Sequence, residues 1–197
     1  MDARRGGAGP GRRVAGSLAQ TPPGGGRPRN VFVCALPTGE VHGYAKVHPF
    51  TFGGEAEVYE AGTSLVTFSW EGVRITPFVC YDLRFPEAWA ARASGTDLFV
   101  VVANWPEARI AHWEALLVAR AIETQAYVLG VNRVGSGGGL SYPGASRLIS
   151  PLGTAIGGDD PAARELDVAG DVDPAEVAAV RAKFPFLADR RPDVYRG

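Results

Sequence analysis

Cysteine is scarce in this chain: two residues, Cys34 and Cys80, among 197. That is too few for a disulfide framework. There is no paired-cysteine motif and no His-Glu-x-x-His motif, so no metal site is expected, and no motif points to another cofactor. An excess of one charge sign is also lacking. A formal net charge of −1 provides no global field for nucleic acid or an anionic membrane. No apolar run approaches membrane-spanning length, and the N-terminus has no signal-peptide core. These absences point to a cytoplasmic protein that binds neither membrane nor nucleic acid. What is present is ordinary globular composition, 46% hydrophobic and 21% charged, enough for one domain with a sizeable core.

The chain is uneven along its length. Residues 1–29 are rich in Gly, Pro and Arg and are expected to be mostly flexible, with a remnant strand at 14–19. A basic nucleic-acid arm is the sharper alternative, but its arginines are not interleaved with aromatics. From residue 30 to 197 the pattern is that of one domain. Apolar runs predict strands at 31–36 and 41–46, joined as a hairpin, and at 64–70 and 73–79 around Glu71-Gly72. Further strands are expected at 97–103, 127–131, 146–150 and 164–168, with helices at 86–93 and 109–125. Asp173-Pro174-Ala175-Glu176 reads as an N-cap, a first-turn proline and a capping-box glutamate. The glycine run 135–139 predicts a mobile loop rather than a phosphate cradle, because no Lys-Ser/Thr or helix follows it. Mixed strands, helices and hairpins imply a layered α/β fold.

The chemistry centres on Cys80. An apolar, strand-forming run, Ile75-Thr76-Pro77-Phe78-Val79, ends at this thiol, and Pro86-Glu87 opens a helix shortly after. A strand that ends in a tight turn before a helix presents a nucleophile. A buried structural thiol is the plainer alternative. Cys34, inside an apolar run, reads as core. A nucleophilic thiol needs a nearby cation or base. Lys46 and His48, on one face of Tyr44-Ala45-Lys46-Val47-His48-Pro49-Phe50, are both candidates, and spacing does not choose between them.

Taken together, Tyr44 to Phe50 and Cys80-Tyr81-Asp82-Leu83-Arg84-Phe85-Pro86-Glu87 resemble the nitrilase superfamily of carbon–nitrogen hydrolases. Ala103-Asn104-Trp105-Pro106, residues 119–128 and residues 131–135 extend the resemblance. Lys183-Phe184-Pro185-Phe186 and Asp193-Val194-Tyr195 are similar to the ω-amidase-like branch. The resemblance implies a four-layer α-β-β-α sandwich and a Glu-Lys-Cys triad. It places the nucleophile on Cys80, the lysine on Lys46 and a supporting glutamate on Glu55. Lys46 and the backbone N–H of Tyr81 would hold the oxyanion. Trp105 would line the pocket, and Arg84, Arg109 or Arg133 would hold a substrate carboxylate. The implied substrate is a small-molecule amide of the 2-oxoglutaramate type, and the implied assembly is a homo-oligomer formed through outer helices.

The sequence also departs from this pattern. No glutamate precedes Glu40, so the first triad glutamate has no counterpart, and residues 14–19 resemble the third strand of the family. The fold is therefore expected to be incomplete at its N-terminus. Three readings follow: a truncated amidase, which includes other nitrilase-family amidases or carbamoylases; a non-catalytic remnant acting as an oligomer subunit; and an unrelated Cys80-His48 thiol hydrolase.

Overall fold

Two β-sheets stack in the computed structural model, which describes residues 14–158 and 168–195. The first sheet has three antiparallel strands, β1 (Val14–Gln20), β2 (Arg29–Ala35) and β3 (Val41–Ala45), in that order. The second has six, ordered β11-β10-β7-β6-β5-β4. Its strands are β4 (Phe68–Trp70), β5 (Val73–Val79), β6 (Leu98–Ala103), β7 (Tyr127–Asn132), β10 (Arg147–Ile149) and β11 (Ala155–Gly157). Between β7 and β10 runs a hairpin of β8 (Val134–Gly137) and β9 (Leu140–Pro143).

In the parallel core β5-β6-β7, β6 and residues 127–131 of β7 read as continuous apolar runs because both faces of the sheet are covered, whereas β5 also carries Arg74 and Thr76. Helix α2 (Pro86–Ala90) links β5 to β6, and α3 (Ile110–Thr124) links β6 to β7. Leu117 and Trp113 of α3 press onto Gly130, where an added Cβ would lie 2.6 to 2.8 Å from their atoms. Only glycine permits that approach. On the opposite face, Phe32, Cys34 and Tyr44 of the small sheet are buried, and His42 stacks on Phe68 at 4.1 Å. Alternation along β2 and β3 puts these four residues on one face, which meets the larger sheet. The described residues thus supply three layers, α-β-β, of the expected sandwich. The shared axis of the fold is apolar burial on both sides of one sheet.

Several sequence expectations need adjustment. The strand expected at 14–19 is β1, one residue longer, while residues 1–13 lie outside the described residues. Of the strand expected at 64–70, only Phe68–Trp70 pairs. The two helices are shorter at their ends than expected. The glycine run is not a loop but the turn of a hairpin. Gly138 and Gly139 both take positive φ, 58° and 75°, which is the two-residue turn that matches strand twist. Asp173 caps α4 (Pro174–Lys183) by accepting from the Ala175 N–H at 2.8 Å. The Glu176 carboxylate accepts the Tyr127 hydroxyl, so it ties α4 to β7. The strand expected at 164–168 falls outside the described residues except for Val168.

Candidate active site

Cys80 follows the last residue of β5 and opens a short 3-10 helix, Cys80–Arg84. Its φ is +47°, in the left-handed region that a residue with a Cβ rarely takes. Such strain costs on the order of 1 kcal/mol or more and persists where the surroundings enforce it. Cys80→Gly is therefore expected to be about 1 kcal/mol more stable than Cys80→Ala, as read by chemical denaturation.

What enforces the turn is Asp82, fully buried two residues later. Its carboxylate accepts from the Val79 N–H at 3.0 Å, the Tyr44 hydroxyl at 2.9 Å and the His48 N–H at 3.1 Å. The His48 ring nitrogen Nδ1 lies 2.8 Å from the same carboxylate. Strand β3, the segment after it and the Cys80 turn are thereby locked together. Burial, first, and the Asp82 charge push the Tyr44 hydroxyl well above its ordinary range, so it stays a donor. From the loop side, the buried Arg120 guanidinium donates to the Leu83 carbonyl at 3.0 and 3.1 Å. Removal of Asp82 would strand three donors. Asp82→Ala is expected to cost about 3 kcal/mol or more, measured by urea denaturation.

Lys46 directly follows β3 and is 3% exposed. Its ammonium is paired with the Glu55 carboxylate. Glu55 begins α1 (Glu55–Val58) and also accepts from Asn30 at 2.9 Å and from the Phe50 N–H at 2.7 Å. Burial alone would raise the Glu55 carboxyl, but the hydrogen bonds from Lys46, Asn30 and Phe50 outweigh it and hold it below its ordinary value.

The Cys80 thiol is raised instead. Burial dominates and outweighs the Lys46 charge and the Asn104 backbone N–H, which both favour the thiolate; the Glu55 and Asp82 charges add to the rise. Among the described residues no carboxylate hydrogen-bonds the thiol. Its alkylation by iodoacetamide should therefore still be accelerating above about pH 9, beyond the titration of an ordinary thiol.

Phe50, Cys80, Tyr81, Arg84, Trp105 and Arg109 contribute to a small open pocket of about 50 Å³. Its floor is set from the carboxyl ends of parallel strands, the position where such sheets hold ligands. Asn132, at the end of β7, fixes the Trp105 segment: it accepts from the Trp105 N–H at 2.7 Å and donates to the Trp105 and Gly144 carbonyls at 3.0 and 2.7 Å. The Trp105 indole donates to the Arg109 carbonyl at 2.8 Å.

The structure thus brings Cys80, Tyr81, Trp105, Arg84 and Arg109 to one pocket, with the Lys46–Glu55 pair acting electrostatically on the thiol. Arg133 is placed elsewhere: it lies over Tyr142 at 4.6 Å and donates to the Ser136 carbonyl. His48 is committed to Asp82 and stacks on Phe85 at 3.8 Å, and none of its described contacts is with Cys80. Sequence reasoning passed over Asp82, Tyr44, Asn104 and Asn132. Asp82 left one signal, an acid two residues past the thiol that ends an apolar strand run. Cys34 lies in the core, as expected.

Comparison with known proteins places these residues in context. Residues 14–182 match the carbon–nitrogen hydrolase family. The chain is 46% identical over 178 residues to the omega-amidase YafV of Escherichia coli, covering 89% of this chain and 68% of that protein. It is 36% identical over 156 residues to the 2-oxoglutaramate amidase of Bacillus subtilis, covering 77% of this chain and 58% of that one. Among solved structures, a CN-hydrolase superfamily protein of Xanthomonas campestris, with an arsenic adduct in its active site, superposes with a TM-score of 0.82. That similarity is 37% in sequence and covers 91% of this chain and 69% of the other.

Proposed function

The chain belongs to the carbon–nitrogen hydrolase family, and we propose that its pocket hydrolyses a small amide through a thioester on Cys80. The observation that carries this is a strained strand-end thiol within electrostatic reach of a buried Lys46–Glu55 pair. The Cys80 sulfur attacks the amide carbon, forming a C–S bond. The C–N bond breaks and ammonia leaves with the thiol proton. Water then hydrolyses the thioester, releasing the acid and restoring the thiol. Lys46 and the Tyr81 N–H, in the first turn after β5, stabilise the oxyanion. The names of the relatives, omega-amidase and 2-oxoglutaramate amidase, direct the substrate choice to the ω-amide of a small 2-oxo dicarboxylic acid.

One observation favours a second reading. The thiol is raised, and the two carboxylates acting on it, Glu55 and Asp82, are already engaged by other donors. With no free proton acceptor at the thiol among the described residues, the chain would serve as a non-catalytic subunit. Ammonia release from 2-oxoglutaramate separates the two readings. Turnover that disappears in Cys80→Ala supports hydrolysis. Absence of turnover, with Cys80 still open to alkylation, supports the non-catalytic reading.

A further inference from the structure

Arginines among the described residues are usually partnered. Arg29, Arg74, Arg120, Arg147 and Arg191 each reach a carboxylate. Arg92, Arg181 and Arg190 donate to backbone carbonyls. The two arginines of the Cys80 pocket differ. Among the described residues neither Arg84 nor Arg109 has an acidic partner. Arg109 lies 5.7 Å over the Phe50 ring. Arg84 lies 4.8 Å over the Trp105 ring, and its Nη2 donates to the His112 ring nitrogen Nδ1 at 3.2 Å. Two cations thus line one small pocket, held by aromatic faces and an imidazole, and among the described residues no carboxylate engages them. Such a pocket fits a planar, bidentate anion.

We infer that Arg84 and Arg109 form a carboxylate subsite beside Cys80, and that His112 is a positioning residue that aims Arg84 at it. This rests on the reading of Cys80 as the reacting thiol and adds the end of the substrate that is not hydrolysed. His112 sits near the start of α3 and does not line the pocket. Its role passes through Arg84: an unprotonated Nδ1 accepts one N–H and leaves the guanidinium plane over Trp105. A carboxylate in place of His112 would neutralise Arg84 and spoil the subsite. A neutral acceptor fixes its direction without quenching its charge.

The test uses the full chain and a non-reacting dicarboxylate. Calorimetry measures glutarate binding, with the neutral diamide glutaramide as control. Glutarate is expected to bind at least about tenfold more tightly than glutaramide, and Arg84→Gln or Arg109→Gln to weaken it about tenfold. His112→Ala should weaken glutarate about fivefold while leaving glutaramide unchanged. His112→Asn, which keeps an acceptor near the Nδ1 position, should restore affinity to within about twofold. A merely structural role for His112 would shift both ligands together and would not be rescued. Equal binding of the two ligands, unchanged binding in both arginine variants, or His112→Ala indistinguishable from wild type would overturn the inference. Because no step of this experiment uses the thiol, a failure of Cys80 to react would leave these affinities as predicted. The two ideas therefore fail separately.

Discussion

Cys80→Ala is expected to lower acyl transfer from an activated ester, such as a nitrophenyl monoester of glutaric acid, by about 10⁴-fold or more. Such an ester has a good leaving group, so the reaction places little demand on a proton acceptor and reads the thiol directly. The size follows from nucleophile removal, where the remaining groups have nothing to act upon. Binding of glutarate should be nearly unchanged, since the arginines stay in place. A rate loss of less than about tenfold would mean that Cys80 is a structural thiol.

Breaking the Lys46–Glu55 pair is expected to be the next largest effect, and it should appear in both stability and rate. Lys46 is almost fully buried and Glu55 largely so, with side-chain exposures of 3% and 15%. Taking away one partner leaves the other charge desolvated, which costs about 3 to 5 kcal/mol. Glu55→Ala should therefore lower the denaturation midpoint strongly. It should also reduce acyl transfer by about 10²-fold or more, because Lys46 would lose its orientation toward the oxyanion. Lys46→Met, which buries an apolar side chain of similar length, should be the less destabilised of two comparably impaired variants.

The sign of the acid dependence follows. Glu55 sits below its ordinary value in the folded state, so the unfolded chain binds more protons at this site. Its stabilising contribution is present above about pH 4.3 and is lost as pH falls below that. Glu55→Gln should flatten this part of the stability profile.

Much of this arrangement was readable from residue order. Cys80 declared itself because an apolar strand run stops at a thiol, and β5 followed by the short helix bears that geometry out. Lys46 stood out as a charged residue between apolar neighbours, and burial explains why. Of the parallel strands, β6 and β7 were legible as apolar runs. What sequence order concealed were side-chain contacts between distant segments. Asp82 meets Tyr44 over a separation of 38 residues, and Asn132 meets Trp105 over 27. Nothing local marks Asn132 as a hub, and the position of Asp82 two residues past the thiol does not reveal its partners. Spacing alone left His48 and Lys46 equivalent on one extended face. The buried Asp82 carboxylate, by taking His48, separates their roles. The glycine run misled because flexibility was read from composition, whereas β8 and β9 use Gly138 and Gly139 as a defined turn.

Acyl transfer to Cys80 leaves a covalent mark on one peptide. Peptide mapping by mass spectrometry, after brief exposure to the nitrophenyl monoester of glutaric acid and an acid quench, tests it most directly. A glutaryl thioester is expected on the peptide carrying Cys80, labile to hydroxylamine and absent from Cys80→Ala. Nitrophenol release at the wild-type rate with Cys80 unmodified, or with the acyl group on Lys46, His48 or Cys34, would contradict it.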